Sequence, residues 1–75
     1  MTLTRTEQKL MEFLNANAGR VVSRAEILAR VWQLNSPHVL TRTVDMHVAK
    51  LRAKLDDRDA LVTIHRHGYM LVKAG

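Results

Sequence analysis

The residues best equipped for chemistry are four histidines (His38, His47, His65, His67), an aspartate cluster (Asp56, Asp57, Asp59) and a run of cations between Arg42 and Lys54. His65 and His67 stand two apart, so on a strand they share a face and could form a ligand pair for a divalent ion. The chain has no cysteine, and no acid lies near them in sequence to complete such a set. The aspartates lack the central glycine and closing glutamate of a calcium loop and suit a solvated turn instead. Gly19, Gly68 and Gly75 are isolated, so there is no glycine-rich phosphate cradle, and no serine–histidine–aspartate arrangement stands out. The sequence therefore gives no basis for a metal, a cofactor or an enzymatic reaction. The cations read differently. Arg42, Lys50, Arg52 and Lys54 face a single acid, Asp45, with Thr43 and His47 adding hydrogen-bonding capacity. That mixture suits a polyanion: phosphates meet the cations, and polar base edges meet Thr and His.

The elements that must position these residues can be read from caps and periodicity. Thr4 followed by Glu7 is a capping box, and the helix it opens runs through Leu10, Met11, Phe13 and Leu14 to about Asn17, with Gly19 suited to the position past its end. Val21 and Val22 form a short extended link. Ser23 and Glu26 make a second capping box, opening a helix whose apolar stripe is Ile27, Leu28, Val31 and Trp32. Gln33 to Leu40 is a loop, with Asn35, Ser36 and Pro37 as turn residues. A third helix spans about Thr41 to Leu55. Val44, Val48, Leu51 and Leu55 are its buried stripe, and Arg42, Thr43, His47, Ala49, Lys50, Arg52 and Lys54 form its other face. From Val62 to Val72 the period changes. Val62, Ile64, Tyr69 and Leu71 alternate with Thr63, His65, Met70 and Val72, a β-hairpin with Arg66, His67 and Gly68 near its tip.

Seventy-five residues make one domain, 1–75. With 47% apolar and 25% charged residues, one proline and three glycines, the composition is that of a folded chain rather than a disordered one. No apolar run approaches the roughly 18 residues of a membrane span, and no signal peptide opens the chain. A cytoplasmic location is expected, and a formal net charge of +5 favours a nucleic-acid partner. The expected fold is mainly α with a C-terminal β-hairpin: three helices, the third with a basic outer face, and a wing.

Several ordered pieces of the chain resemble the OmpR/PhoB-type winged-helix effector domain of two-component response regulators. They are Leu3-Thr4-Arg5-Thr6-Glu7, Gly19-Arg20-Val21-Val22-Ser23-Arg24, Val31-Trp32, Arg42-Thr43-Val44-Asp45-Met46-His47-Val48, Leu51-Arg52-Ala53-Lys54-Leu55 and Gly68-Tyr69. The resemblance runs from Leu3 to about Leu71. It implies sequence-specific binding of double-stranded DNA and regulation of transcription, with the third helix in the major groove. Arg42 and Thr43 would touch phosphates near its start, His47, Ala49 and Lys50 would face the bases, and Arg52 and Lys54 would lie near the backbone. The loop residues Gln33, Leu34, Asn35, Ser36, Pro37 and His38 match a segment that touches RNA polymerase, and a homodimer on tandem sites is a further implied partner.

The chain departs from the family pattern at two places. The family wing reads T-V-R-G-x-G-Y, whereas this chain has Thr63-Ile64-His65-Arg66-His67-Gly68-Tyr69. His65 holds the usual arginine position and Arg66 the first glycine position, so the minor-groove residue is either His65 or Arg66. The family's N-terminal sheet is also lacking, since only Met1 and Thr2 precede the opening motif. The chain reads as an excised effector or a minimal regulator. The alternative function is a winged helix that binds a protein partner without DNA. Exposed apolar anchors on the third helix would mark that alternative, and RNA is disfavoured because a helix cannot enter the deep groove of the A-form duplex.

Overall fold

The computed structural model describes residues 2–32 and 42–72. The expected polymerase-contact loop, Gln33 to His38, lies outside the described residues. Helix α1 spans Arg5–Ala16. Thr4 caps it as read from sequence: Thr4 Oγ1 accepts from the Glu7 amide at 3.2 Å, and the Thr4 amide donates to Glu7 Oε1 at 2.8 Å. Such a cap is worth about 1 kcal/mol. The helix ends where Asn17 Nδ2 donates to the Phe13 carbonyl at 2.8 Å, and Gly19 then turns the chain at φ 85°.

The link that follows pairs with the wing through a single antiparallel bridge at Val22. The Gly19 amide donates to the Leu71 carbonyl, and Val22 and Tyr69 exchange both backbone hydrogen bonds. Helix α2, Arg24–Ile27, is capped by Ser23, whose Oγ accepts from the Glu26 amide at 3.0 Å. The reciprocal half of the expected capping box is replaced: the Glu26 carboxylate takes Arg20 Nη2 at 2.7 Å instead. A full positive charge outcompetes a neutral amide for the carboxylate. The helix continues as a π-helical turn, Leu28–Trp32, burying Leu28 and Val31 and leaving Trp32 half-buried.

Helix α3 spans Arg42–Lys54, with Val44, Val48 and Leu51 buried. Leu55, just past it, packs against the same core from a half-buried position. A 3₁₀ turn, Arg58–Ala60, is capped by Asp57 and leads into strand β1, Leu61–Ile64, which pairs antiparallel with β2, Gly68–Leu71. One core joins these elements: Leu10 and Leu14 of α1, Val22 of the link, Ile27, Leu28 and Val31, the α3 stripe, and Leu61, Tyr69 and Leu71. Each fully buried Leu or Val contributes roughly 1.5–3 kcal/mol.

The hairpin differs from its sequence reading in register. Ile64 pairs with Gly68, so His65, Arg66 and His67 alone form the turn and Gly68 belongs to β2. The His67 amide closes the turn on the Ile64 carbonyl at 2.9 Å, with Arg66 at φ 68°. A three-residue turn pairs odd positions with odd and even with even. Leu61 therefore shares the core face with Leu71 and Tyr69, while Val62 and Ile64 lie on the opposite face with Met70, not beside Tyr69 and Leu71 as the alternation suggested. Among the described residues no strand precedes α1.

Candidate nucleic-acid interface

The buried stripe of α3 fixes which side chains point away from the protein. Arg42, Met46, Ala49, Lys50 and Ala53 are exposed, and they follow one another at helical spacing along a single outward stripe. Among the described residues Arg42 and Lys50 take part in none of the ion pairs, so their charge is available to an outside anion. Met46, more than half exposed, joins this stripe and was not singled out from the sequence; it is one large apolar side chain between Arg42 and Lys50, not the set of anchors that would mark a protein-binding helix. It lies one turn after Arg42 and three residues before Ala49, a position that the helical period alone was enough to find.

The other cations of α3 are occupied. Arg52 Nε donates to the Leu61 carbonyl and its Nη2 to Thr63 Oγ1, both at 3.0 Å, so its guanidinium clamps α3 to the outer edge of β1. Lys54 Nζ lies 2.6 Å from Oε1 of Glu7, which is only 2% exposed. The hydrogen bond from Lys54 and that from the Thr4 amide together hold the Glu7 carboxyl down at about 2. Both residues were expected to lie near a DNA backbone, and the structure gives them partners within the domain. Periodicity places a side chain on a face but does not reveal that another element already covers that face.

Thr43 and His47 flank the stripe, half-buried. His47 Nδ1 lies 2.9 Å from the Thr43 carbonyl, and its ring meets Trp32 edge-on, with centroids 5.1 Å apart. One ring nitrogen is thus engaged locally, and Nε2 is left for an outside contact. At the wing tip His65, Arg66 and His67 are all exposed.

Asp45 faces the wing side of α3 and ties three elements together. Its Oδ1 accepts from Arg24 Nε at 2.6 Å and from the Tyr69 hydroxyl at 2.5 Å. Partial burial pushes the Asp45 carboxyl up, but the hydrogen bonds from Tyr69 and Arg24 outweigh it and hold the group below the usual aspartate range. Burial, then the bond to Asp45, pushes the Tyr69 phenol up. The sequence contained Arg24, Asp45 and Tyr69 in separate motif pieces, with no role attached to any.

The chain matches, over residues 1–71, the family described as "Transcriptional regulatory protein, C terminal". It belongs to that family, the OmpR/PhoB-type effector domains. Among curated relatives of this effector domain, the transcriptional regulatory protein VxrB of Vibrio cholerae is 46% identical over 71 residues, covering 95% of this chain and 28% of that protein. The sensory transduction protein RegX3 of Mycolicibacterium smegmatis is 39% identical over 75 residues, covering 95% of this chain and 32% of that one. The chain thus spans about a third of the length of these relatives. Among solved structures, the DNA-binding domain of the response regulator AdeR, in complex with an intercistronic region, is 36% identical with a TM-score of 0.80, over 95% of this chain and 72% of that one. The DNA-binding domain of CpxR from E. coli is 34% identical with a TM-score of 0.79, over 100% of this chain and 76% of that one. The fold is accordingly a winged helix-turn-helix, with α2 and α3 as the helix pair and β1–β2 as the wing. No helix among the described residues is long and apolar enough to cross a membrane.

Proposed function

We propose that this effector domain binds double-stranded DNA sequence-specifically, as the output domain of a two-component response regulator that controls transcription. α3 enters the major groove and the wing lies along the adjacent minor groove. The carrying observation is the outward stripe of α3, where Arg42 and Lys50 flank the apolar contacts Met46 and Ala49. Arg42 and Thr43 meet phosphates at the start of the helix. Lys50 and His47 Nε2 supply hydrogen-bond donors or acceptors to base edges, and Met46 and Ala49 offer apolar surface to thymine methyl groups. Arg52 and Lys54, engaged with β1 and Glu7, hold the frame. At the wing tip His65 and Arg66 are both exposed, and Arg66, at the apex, has the longer reach into a narrow groove. The loop Gln33 to His38 is proposed to contact RNA polymerase, and two copies are proposed to occupy tandem sites.

The test is equilibrium binding of the chain to duplexes selected from a randomised pool, repeated across salt concentrations. Neutralising about four to six phosphates gives a slope of log K against log salt of roughly −4 to −5. The Arg42→Ala, Lys50→Ala double variant should reduce the steepness by about one, through the lost phosphate contact of Arg42, and should relax base preference through the loss of Lys50. A slope near zero, or an unchanged slope in the double variant, would overturn this placement and favour a protein partner.

A further inference from the structure

Asp45 is the one acid in the Arg42–Lys54 segment, and a carboxylate on that helix repels any phosphate backbone nearby. Its side chain is 44% exposed, so solvent lowers this cost without removing it. Two contacts oppose the cost. Arg24, the first residue of α2, reaches Asp45 Oδ1 with Nε, and Tyr69, the second residue of β2, reaches the same oxygen with its hydroxyl. The Arg24 guanidinium also lies over the Tyr69 ring, 5.3 Å from its centroid. Tyr69 in turn is fixed through its backbone, which exchanges both hydrogen bonds with Val22 in the link. Three elements therefore meet at one oxygen of α3: the preceding helix, the reading helix itself and the wing strand that leads away from the tip. On the other strand, Arg52 clamps β1 to α3. The hairpin is thus tied to α3 by a polar contact from each of its strands.

We infer that Asp45 is a positioning residue that, through Tyr69 and Arg24, sets the angle between the reading helix and the wing and thereby the preference for one DNA sequence over others. The inference rests on the DNA-binding reading above. A helix and a wing that read neighbouring grooves discriminate together only if their separation is fixed. A loose wing still meets phosphates, which are alike in every sequence, but no longer meets its groove in register with α3. Removing Asp45 therefore has opposite effects on the two kinds of binding. Non-specific affinity rises, because a repelling charge is gone, while the preference for the selected site falls.

Tyr69→Phe and Asp45→Ala separate this from a purely electrostatic role. Tyr69→Phe removes the hydroxyl and leaves every charge in place. In this variant the ratio of selected-site to random-duplex affinity should fall about tenfold, the scale of a hydrogen bond to a charged group, with random-duplex affinity unchanged. Asp45→Ala should lower the same ratio while raising random-duplex affinity. Because the chain has no cysteine, spin labels can be placed at Ala53→Cys and His67→Cys alone, and the distance between α3 and the wing tip can be measured without DNA. A narrow distribution in the parent that broadens in Tyr69→Phe, with circular dichroism showing an intact fold, is the expected result. An unchanged distribution together with an unchanged affinity ratio in Tyr69→Phe overturns the proposal. A parent chain that binds no duplex overturns the DNA-binding reading instead.

Discussion

Gly68 shows how much one missing side chain can carry. At φ 144°, a Cβ built there would come 2.0 Å from the Val22 carbonyl oxygen and 2.9 Å from the Ser23 Cα, both backbone atoms that cannot swing aside. The link lies against the wing so closely that only glycine fits. Gly68→Ala must force the link and β2 apart, at a cost of about 3 kcal/mol from overpacking and backbone strain. The melting temperature should drop by roughly 12–24 °C, measured by circular dichroism. Arg66 is the converse case. It adopts φ 68°, where a non-glycine residue is strained, at the apex of an exposed turn. Arg66→Gly should stabilise the chain by about 1 kcal/mol and raise its melting temperature while weakening DNA binding, so that stability and affinity move in opposite directions. A variant that gained stability without losing affinity would remove Arg66 from the interface. The sequence marks both positions through the resemblance to the family's wing, Gly68 by matching its Gly-Tyr and Arg66 by standing at the first glycine position of that pattern. The reason for Gly68 is a neighbour 46 residues earlier in the chain, and no local pattern shows a neighbour that distant.

Elements whose signals are local were legible in the sequence, and elements that depend on pairing were not. The Thr4 capping box and the buried Val44, Val48 and Leu51 rest on spacings within a turn or two of helix and formed as read, while the Ser23 box formed only its Ser23 half and Leu55 packs on the core from just past the helix. The faces of the hairpin depended on whether its turn has two, three or four residues. Val62 and Ile64 are as apolar as Leu61, so alternation alone could not choose the parity. The outer face of α3 presented a similar difficulty, because Lys50 and Arg52 look equivalent in sequence. The structure separates them, and the separation is testable. Arg52→Ala should lower stability by about 1 kcal/mol, by removing its bonds to Leu61 and Thr63, and should leave the salt slope of DNA binding nearly unchanged. Arg42→Ala should reduce that slope by about one with little change in melting temperature. Equal effects of the two variants on the salt slope would return Arg52 to the phosphate contacts.

At the scale of the whole molecule, the ends of the helical layer are joined by an ion pair whose carboxylate is buried and whose ammonium is partly exposed. Glu7 in the first turn of α1 and Lys54 at the end of α3 stand 47 residues apart, so neither composition nor periodicity could pair them. Glu7 looked like half of a capping box, and it is that as well: one carboxylate receives the Thr4 amide and the Lys54 ammonium together. Removing Lys54 would leave the buried Glu7 charge without compensation, whereas removing Glu7 leaves an ammonium that water still reaches. The pair also sets the response to acid. The carboxyl titrates at about 2 in the folded chain against 4.5 for the free side chain, so the unfolded chain binds more protons between those values. The stabilisation is therefore fully present above about pH 5 and is lost progressively as the pH falls towards 2. Asp45 and Glu26 are also held low, by Tyr69 with Arg24 and by Arg20 respectively, and they add to the same acid loss. Urea unfolding followed from pH 7 to pH 2 should show stability falling steeply below pH 5 in the parent chain. Glu7→Gln, which keeps the shape and the capping acceptor but cannot titrate, should be less stable at pH 7 and lose less between pH 5 and pH 2. The two curves then converge at low pH, where the parent's Glu7 is itself protonated. Parallel curves across the whole range would mean that the Glu7–Lys54 pair contributes nothing to the acid response, leaving Asp45 and Glu26 to account for it.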